Sequence, residues 1–340
     1  MSDWEIFRGT REQHGGIDRL PPPPPWRDFN GGPALPIPDS GTGNDHAART
    51  YRPGAEAIRL VNAALYLRRP LLVMGPPGTG KSTLAHAVAH ELGLGPVLHW
   101  PITSRVTLRD GLYEYDPLTR LYAMSRGESG GYAQPSDDIG NYIRLGPLGT
   151  SLLPYQRPRV LLIDEIDKSD IDLPNDLLTI FERGSYDIVE LARRADQVAE
   201  VMTADDTSMR VPVRQGRVAC RAFPFVVMTS NGEREFPPAF LRRCITLHLR
   251  QPTTVEEMNA IVSEHLGELI GEQGRLPKNA ERMIQQFLQR SSSGLLANDQ
   301  LLNAVYLCHH AILEDKPSDV IELAEQVMPY LSTGNGDFDG

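Results

Sequence analysis

Residues 71–82 read Leu-Leu-Val-Met-Gly-Pro-Pro-Gly-Thr-Gly-Lys-Ser, and the fold is decided here. Leu71 to Met74 is a short apolar run that predicts a strand, and a helical run follows from Lys81 to about Leu92. The glycine-rich loop between them fits G-x-x-x-x-G-K-[ST], the spacing of a phosphate cradle. Glycines let the backbone curl so that successive N–H groups face one anion. The helix after the loop turns its positive end toward the same charge. Gly75, Pro76, Pro77, Gly78, Thr79, Gly80, Lys81, Ser82 and Thr83 are therefore the expected nucleotide-binding segment. Lys81 would reach the outer phosphates, and the Ser82 hydroxyl would ligand a magnesium ion.

A second apolar run, Val160 to Ile163, ends in Asp164-Glu165. A parallel strand buried on both faces reads as such a run, and α/β sheets place ligands at its carboxyl end. Asp164 would hold magnesium and Glu165 would polarise an attacking water. Taken alone, two acids after a strand would be a helix cap and a solvated neighbour; the glycine loop makes them a pair with chemistry. Val226 to Thr229 repeats the pattern and ends in Ser230-Asn231, so Asn231 either orients water or forms a turn. Arg242-Arg243 precede the run beginning at Ile245. They either solvate a helix end or supply positive charge to a transferring phosphoryl group.

The surrounding chain divides by composition. Residues 1–50 hold the run Pro21 to Pro25 and three more prolines, and form a proline-rich N-terminal arm. Trp4, Phe7, Trp26 and Phe29 leave two readings of it, a disordered tail or an arm whose aromatics dock. Residues 51–251 read as an α/β domain. A helix from Ala55 stops before Pro70, and strands are expected at Leu71–Met74, Val97–Trp100, Val160–Ile163, Phe225–Thr229 and Ile245–Leu249. Inserts fall at about 103–157, where Tyr113, Tyr115 and Tyr122 either grip a partner or pack beneath a loop. Residues 252–331 read as an all-helical lid. It opens on a Thr253-x-x-Glu256 capping box, with further helices from Pro277, over Asp299–Leu313 and over Pro317–Leu331. Residues 332–340 form a flexible tail. The fold class is a three-layer αβα core with a C-terminal helical domain.

Composition narrows the functional classes. The 340 residues carry 44 acidic and 34 basic side chains, a net charge of −10, which argues against broad nucleic-acid binding. Three cysteines without a C-x-x-C pair argue against a disulfide framework or a cysteine-ligated zinc. No apolar run reaches the ~20 residues needed to span a bilayer. MSDWEIFRGTREQ lacks the layout of a secretory signal, so a cytoplasmic protein is expected. His309 and His310, adjacent on one helix, diverge rather than converge on a metal. Only four of the basic residues are lysines (Lys81, Lys168, Lys278 and Lys316), a bias best read as codon usage.

Together, GPPGTGKS (75–82), VLLIDE (160–165), Asn231 and Arg243 resemble the Walker A, Walker B, sensor 1 and arginine-finger positions of AAA+ ATPases. The stretches Arg105 to Tyr115-Asp116, Gly146-Pro147-Leu148 and DEIDKSDIDLPNDLLTIFERG (164–184) resemble the MoxR-like branch. The resemblance covers roughly residues 51–331. It implies the P-loop AAA+ fold, ATP and Mg2+ as cofactors, and a ring-shaped homo-oligomer, with a hexamer expected. It also implies remodelling of a protein partner, in some relatives a von Willebrand A-domain protein of a bacterial conflict or defence system. One departure is Gln300, which falls where the lid's sensor 2 arginine is expected; Arg282 is a candidate substitute. Two rival readings are a nucleic-acid motor or loader and an ATP-gated scaffold with little turnover.

Overall fold

The expected apolar runs pair as neighbours in one sheet. The structure, a computed structural model, describes residues 4–38, 45–127, 139–193, 198–205, 209–270, 284–285, 287–288 and 298–312. In chain order the elements begin α1 (Asp45–Thr50), α2 (Ala55–Leu67), β1 (Leu71–Met74), α3 (Lys81–Leu92), β2 (Leu98–Pro101), α4 (Leu108–Leu112), β3 (Tyr113–Tyr115) and α5 (Pro117–Gly127). They continue with β4 (Ile143–Leu145), α6 (Pro147–Ser151), β5 (Val160–Asp164), α7 (Leu173–Arg183), β6 (Ser185–Asp187), α8 (Val189–Ala192), β7 (Val198–Met202) and β8 (Arg210–Arg214). The rest are β9 (Arg217–Ala219), β10 (Phe225–Ser230), α9 (Pro238–Leu241), β11 (Ile245–His248), α10 (Val255–Ile270) and α11 (Asn298–Ile312).

The first sheet has the order β11-β1-β10-β5-β2. β1 with β10, β10 with β5, and β5 with β2 run parallel, with Met74 opposite Ser230 and Met228 opposite Ile163. β10 is buried along its whole length, which explains its unbroken apolar sequence. Parallel strands joined by helices give an α/β core. Strand ends differ from expectation by a residue or two, as strand boundaries do when the hydrophobic run and the hydrogen-bond ladder stop at different places.

A second sheet was not foreseen. Its six strands lie in the order β3-β4-β7-β8-β9-β6 and pair largely antiparallel. Each is three to five residues long, too short for alternation to stand out. The one legible signal was β8–β9, where Val211, Val213 and Val218 alternate with exposed residues around Gln215-Gly216. Both turn residues take positive φ, 52° and 71°, the two-residue hairpin that matches strand twist. Buried side chains of both sheets, among them Leu161, Ile163, Val201 and Val213, form one core with Phe181 of α7.

Residues 4–38 pack on the body. Asn62 on α2 accepts the N–H groups of Ile6 and Phe7 at 2.7 and 3.0 Å and donates to the Phe7 carbonyl at 2.7 Å. Glu91 on α3, 1% exposed, accepts the N–H groups of Arg8 and Thr10 at 2.6 and 2.8 Å. Phe29 stacks on Phe223 at 5.0 Å, and the Arg27 guanidinium lies over the same ring. The Arg68 guanidinium donates to the Pro21 carbonyl at 2.5 Å, and burial lowers its pKa to about 10. Phe7 and Phe29 are buried, whereas Trp4 is 42% and Trp26 77% exposed. Residues 4–38 are thus bound to the α/β body, with Phe7 and Phe29 docked.

The chain divides into two compact units, Met1–Met74 with Ser82–Leu247, and Gly75–Lys81 with His248–Gly340. The division near the C-terminus falls between Leu247 and His248. In the second unit, Met258 and Val262 of α10 pack with Leu301, Ala304 and Val305 of α11 and with Ile284 and Phe287. The capping box sits one residue later than expected. Thr254 Oγ1 accepts the Glu257 N–H at 3.2 Å, and the Glu257 carboxylate accepts the Thr253 N–H at 2.9 Å. Both threonines satisfy the T-x-x-E pattern, so sequence alone could not choose. Of the helix expected from Pro277, residues 284–285 and 287–288 are described and are helical; the helix over Pro317–Leu331, Arg282 and the tail lie outside the described residues.

The body also buries an ion pair that the sequence did not signal. Arg159, fully buried, donates to both Asp205 oxygens at 2.6 and 3.2 Å and to the Pro96 carbonyl at 3.0 Å. Removing one member leaves the other charge buried without compensation. Asp205→Ala is expected to lower unfolding free energy by about 3–5 kcal/mol in urea titrations.

Candidate functional site

The carboxyl ends of β1, β10 and β5 lie side by side in the first sheet. After β1 comes the glycine-rich loop. Gly78 and Gly80 take φ of 74° and 82°, left-handed values that favour glycine. A β-carbon on Gly75 would collide with the Leu249 carbonyl oxygen. Lys81 Nζ donates to the carbonyls of Gly75 and Pro76, both at 2.8 Å, so the ammonium is folded back over its own loop. Thr79 Oγ1 donates to the Pro76 carbonyl at 2.9 Å. Pro77 and Thr83 complete the expected segment and make no further contact that bears on the chemistry.

Ser82 opens a cluster on the body. Its hydroxyl donates to Asp164 Oδ1 at 2.7 Å, and Thr229 of β10 donates to the same oxygen at 2.5 Å. His99 Nε2 lies 3.4 Å from Asp164 Oδ2. Burial pushes the Asp164 carboxyl up, but hydrogen bonds from His99, Thr229 and Ser82 outweigh it and bring the pKa down to about 2. His86 on α3 is held below the usual histidine value by burial and by the charge of His99.

Glu165 leaves the strand in a left-handed conformation, φ 61° and ψ 49°, strained for a residue with a side chain. Its N–H donates to Thr229 Oγ1 at 2.9 Å, so one hydroxyl fixes both acids of the pair. Its carboxylate is held by Lys168 at 2.8 Å, both side chains being about two-fifths exposed. Lys168 reaches that carboxylate because a 3-10 turn brings its position back within three residues of Glu165.

Asn231 follows β10, and its N–H donates to Asp167 at 2.9 Å. No bond to its carboxamide is made among the described residues. Arg242 and Arg243 follow α9 and precede β11, the edge strand. Arg243 is 48% exposed and pairs with Glu182 at 2.6 Å; Arg242 Nε donates to the Pro238 carbonyl at 3.2 Å. Gln300 lies near the start of α11. Tyr113 is buried, and its hydroxyl donates to Glu190 at 2.7 Å, so it packs rather than grips. Tyr115 accepts from Arg120, while Tyr122 is exposed on α5 beside Leu118 and Leu121.

Thr229, His99 and Asp167 were not foreseen as site residues. The only available signal was position, since each lies at or just after the carboxyl half of a predicted strand or acidic pair. Among the described residues no group of three or more His, Cys, Asp or Glu is arranged to hold a metal, and no helix is long and apolar enough to cross a membrane.

Residues 71–252, over half the chain, match the family described as ATPase family associated with various cellular activities (AAA). Among solved structures, the chain is similar to NtrX from Brucella abortus in complex with ADP, at 14% identity and TM-score 0.40, over 82% of this chain. It spans about half of that protein, 54%. It is also similar to Thermotoga maritima RuvB: the P216G mutant at 17% identity and TM-score 0.42, over 80% of this chain and 68% of that one. RuvB described as a Holliday junction branch migration motor matches at 16% identity and TM-score 0.39, over 85% and 72%.

The Asp164 network generates a pH prediction. A carboxylate held below its unfolded value of 3.8 adds stability above that value and loses it as pH falls through about 2. Thr229→Val removes one donor and should raise the Asp164 pKa toward 3.8. In urea titrations between pH 2 and 7, the pH-dependent part of the wild-type advantage should be full above about pH 4 and shrink toward pH 2.

Proposed function

Because the chain belongs to the AAA ATPase family, we propose that it binds ATP with Mg2+ and hydrolyses it as a MoxR-like remodelling ATPase. The observation that carries this reading is the Ser82–Asp164 oxygen pair, 2.7 Å apart at the end of β5, with the carboxylate held ionised. A hydroxyl and an ionised carboxylate are hard oxygen donors that suit magnesium, which leaves its other positions to phosphate and water. When bound, Mg2+ would neutralise charge on the outer phosphates.

In this reading the loop Gly75–Gly80 cradles phosphates with backbone N–H groups. Lys81 exchanges its two carbonyl partners for phosphate oxygens. Glu165 activates water and Asn231 orients it. Arg243, exposed beside the edge strand, serves the nucleotide of a neighbouring copy, with Arg242 in support. Its pairing with Glu182 is solvent-exposed and worth about 0.2–1 kcal/mol, little enough to exchange. This calls for a homo-oligomer, a hexameric ring by resemblance, acting on a protein partner such as a von Willebrand A-domain protein in a bacterial conflict system. A second reading, slow turnover until a partner engages, is favoured by the Lys168 ammonium on Glu165.

Lys81→Ala is expected to abolish nucleotide binding in a fluorescent-ADP titration; tight binding would overturn the cradle. Glu165→Gln should bind nucleotide yet hydrolyse it roughly 10²-fold or more slowly. Arg243→Ala should bind but turn over roughly 10³-fold more slowly. Mixing it with Lys81→Ala subunits should restore part of the activity, and failure to complement in a stable mixed oligomer would refute a shared site. Lys168→Met should raise basal turnover up to about fivefold with unchanged nucleotide affinity, the equivalent of a released exposed pair.

A further inference from the structure

Two segments meet beside the proposed water-activating acid, and one carboxylate ties them. Asp167 sits in the 3-10 turn after Glu165 and is 5% exposed. One of its oxygens accepts the N–H groups of both Asn231 and Glu233, at 2.9 and 3.1 Å. Its other oxygen is buried and has no partner among the described residues. Ser230 Oγ accepts the N–H of Gly232, whose φ is 81°. The Arg234 guanidinium donates to the Ser169 carbonyl at 2.6 Å. The turn that presents Asn231 is thus bound to residues 167–169 by three bonds, two of them to Asp167.

We infer that Asp167 is a positioning residue that sets the Asn231 carboxamide against Glu165. The inference rests on the reading of Asn231 as a water-orienting group and names the group that holds it there. The turn contains Gly232 in a left-handed conformation, where an added β-carbon would meet nothing within 4 Å. Within the turn Ser230 Oγ holds the Gly232 N–H, while the Asn231 and Glu233 N–H groups are held by Asp167. Asp167 lies two residues from Glu165 on the one side and holds the backbone of Asn231 on the other, so the two groups share one rigid link. Burial of a carboxylate is unfavourable, and a neutral apolar residue would fill this place more readily if packing were all it did. A misplacement of about 1 Å at a reacting centre can lower a rate on the order of 10²-fold.

The test is a steady-state ATPase series on the full chain. Asp167→Ala should lower kcat ten- to hundredfold and leave KM within twofold. Asp167→Asn keeps a carbonyl oxygen able to accept both N–H groups and should stay within threefold of wild type. If the alanine variant does not fold, Asp167→Glu replaces it, because one extra methylene displaces the acceptor while preserving charge; it should also lose kcat and not KM. In an Asn231→Ala background the Asp167 substitution should cause no further loss. If Asn231→Ala is slow but Asp167→Glu matches wild type, or the losses multiply in the double variant, this inference alone is overturned. Wild-type turnover by Asn231→Ala would overturn the reading of Asn231 and the inference with it.

Discussion

The carboxylate of Asp164 joins elements that lie far apart in the chain. It collects one hydroxyl from the first turn of α3 and one from the end of β10, with the His99 imidazole alongside from β2. Ionised acceptors make short, strong hydrogen bonds, and here they gather at the carboxyl end of a parallel sheet. The network depends on strand order. With β10 between β1 and β5, Thr229 reaches both Asp164 and the Glu165 backbone. A change of register by one residue would turn Thr229 to the opposite face of the sheet.

The sequence was most legible where burial is uniform. β1, β5 and β10 are sealed on both faces, so each reads as an unbroken apolar run, and the glycine loop and acidic pair mark their ends. The second sheet was hidden because its strands are short and stand on pairing with distant partners rather than on local pattern. Asp167 and Thr229 were hidden for another reason. An aspartate after Asp-Glu-Ile reads as one more surface acid, and a threonine ends many strands. Only the fold shows that one receives two backbone N–H groups and the other bridges two acids. The T-x-x-E cap at residues 253–257 shows a finer limit, because two registers satisfied the same rule.

The strain at the site is local. Glu165 in a left-handed conformation and a buried, half-satisfied Asp167 stand two residues apart, on a turn that follows the buried strand β5. A rigid sheet can hold such deviations because the unfavourable terms are small against the core that fixes their ends. The pairing of Glu165 with Lys168 adds a cation where the proposed chemistry needs an accessible base. An exposed pair of this kind is easily exchanged, so the resting arrangement and a reactive one need differ only by a side-chain rotation.

The attachment of residues 6–14 has a practical consequence for dissecting the protein. Glu91, in the last turn of α3, is almost completely buried, and its carboxylate is satisfied by the backbone of Arg8 and Thr10 with the imidazole of His14 at 3.0 Å. α3 is the helix that starts at Lys81. A fragment trimmed to the start of the recognisable family match at residue 71 would strip that acid of its donors and lose α2 as well, whose Asn62 holds Ile6 and Phe7. The boundaries of family similarity and the boundaries of an independently stable piece therefore differ by the full length of the N-terminal segment.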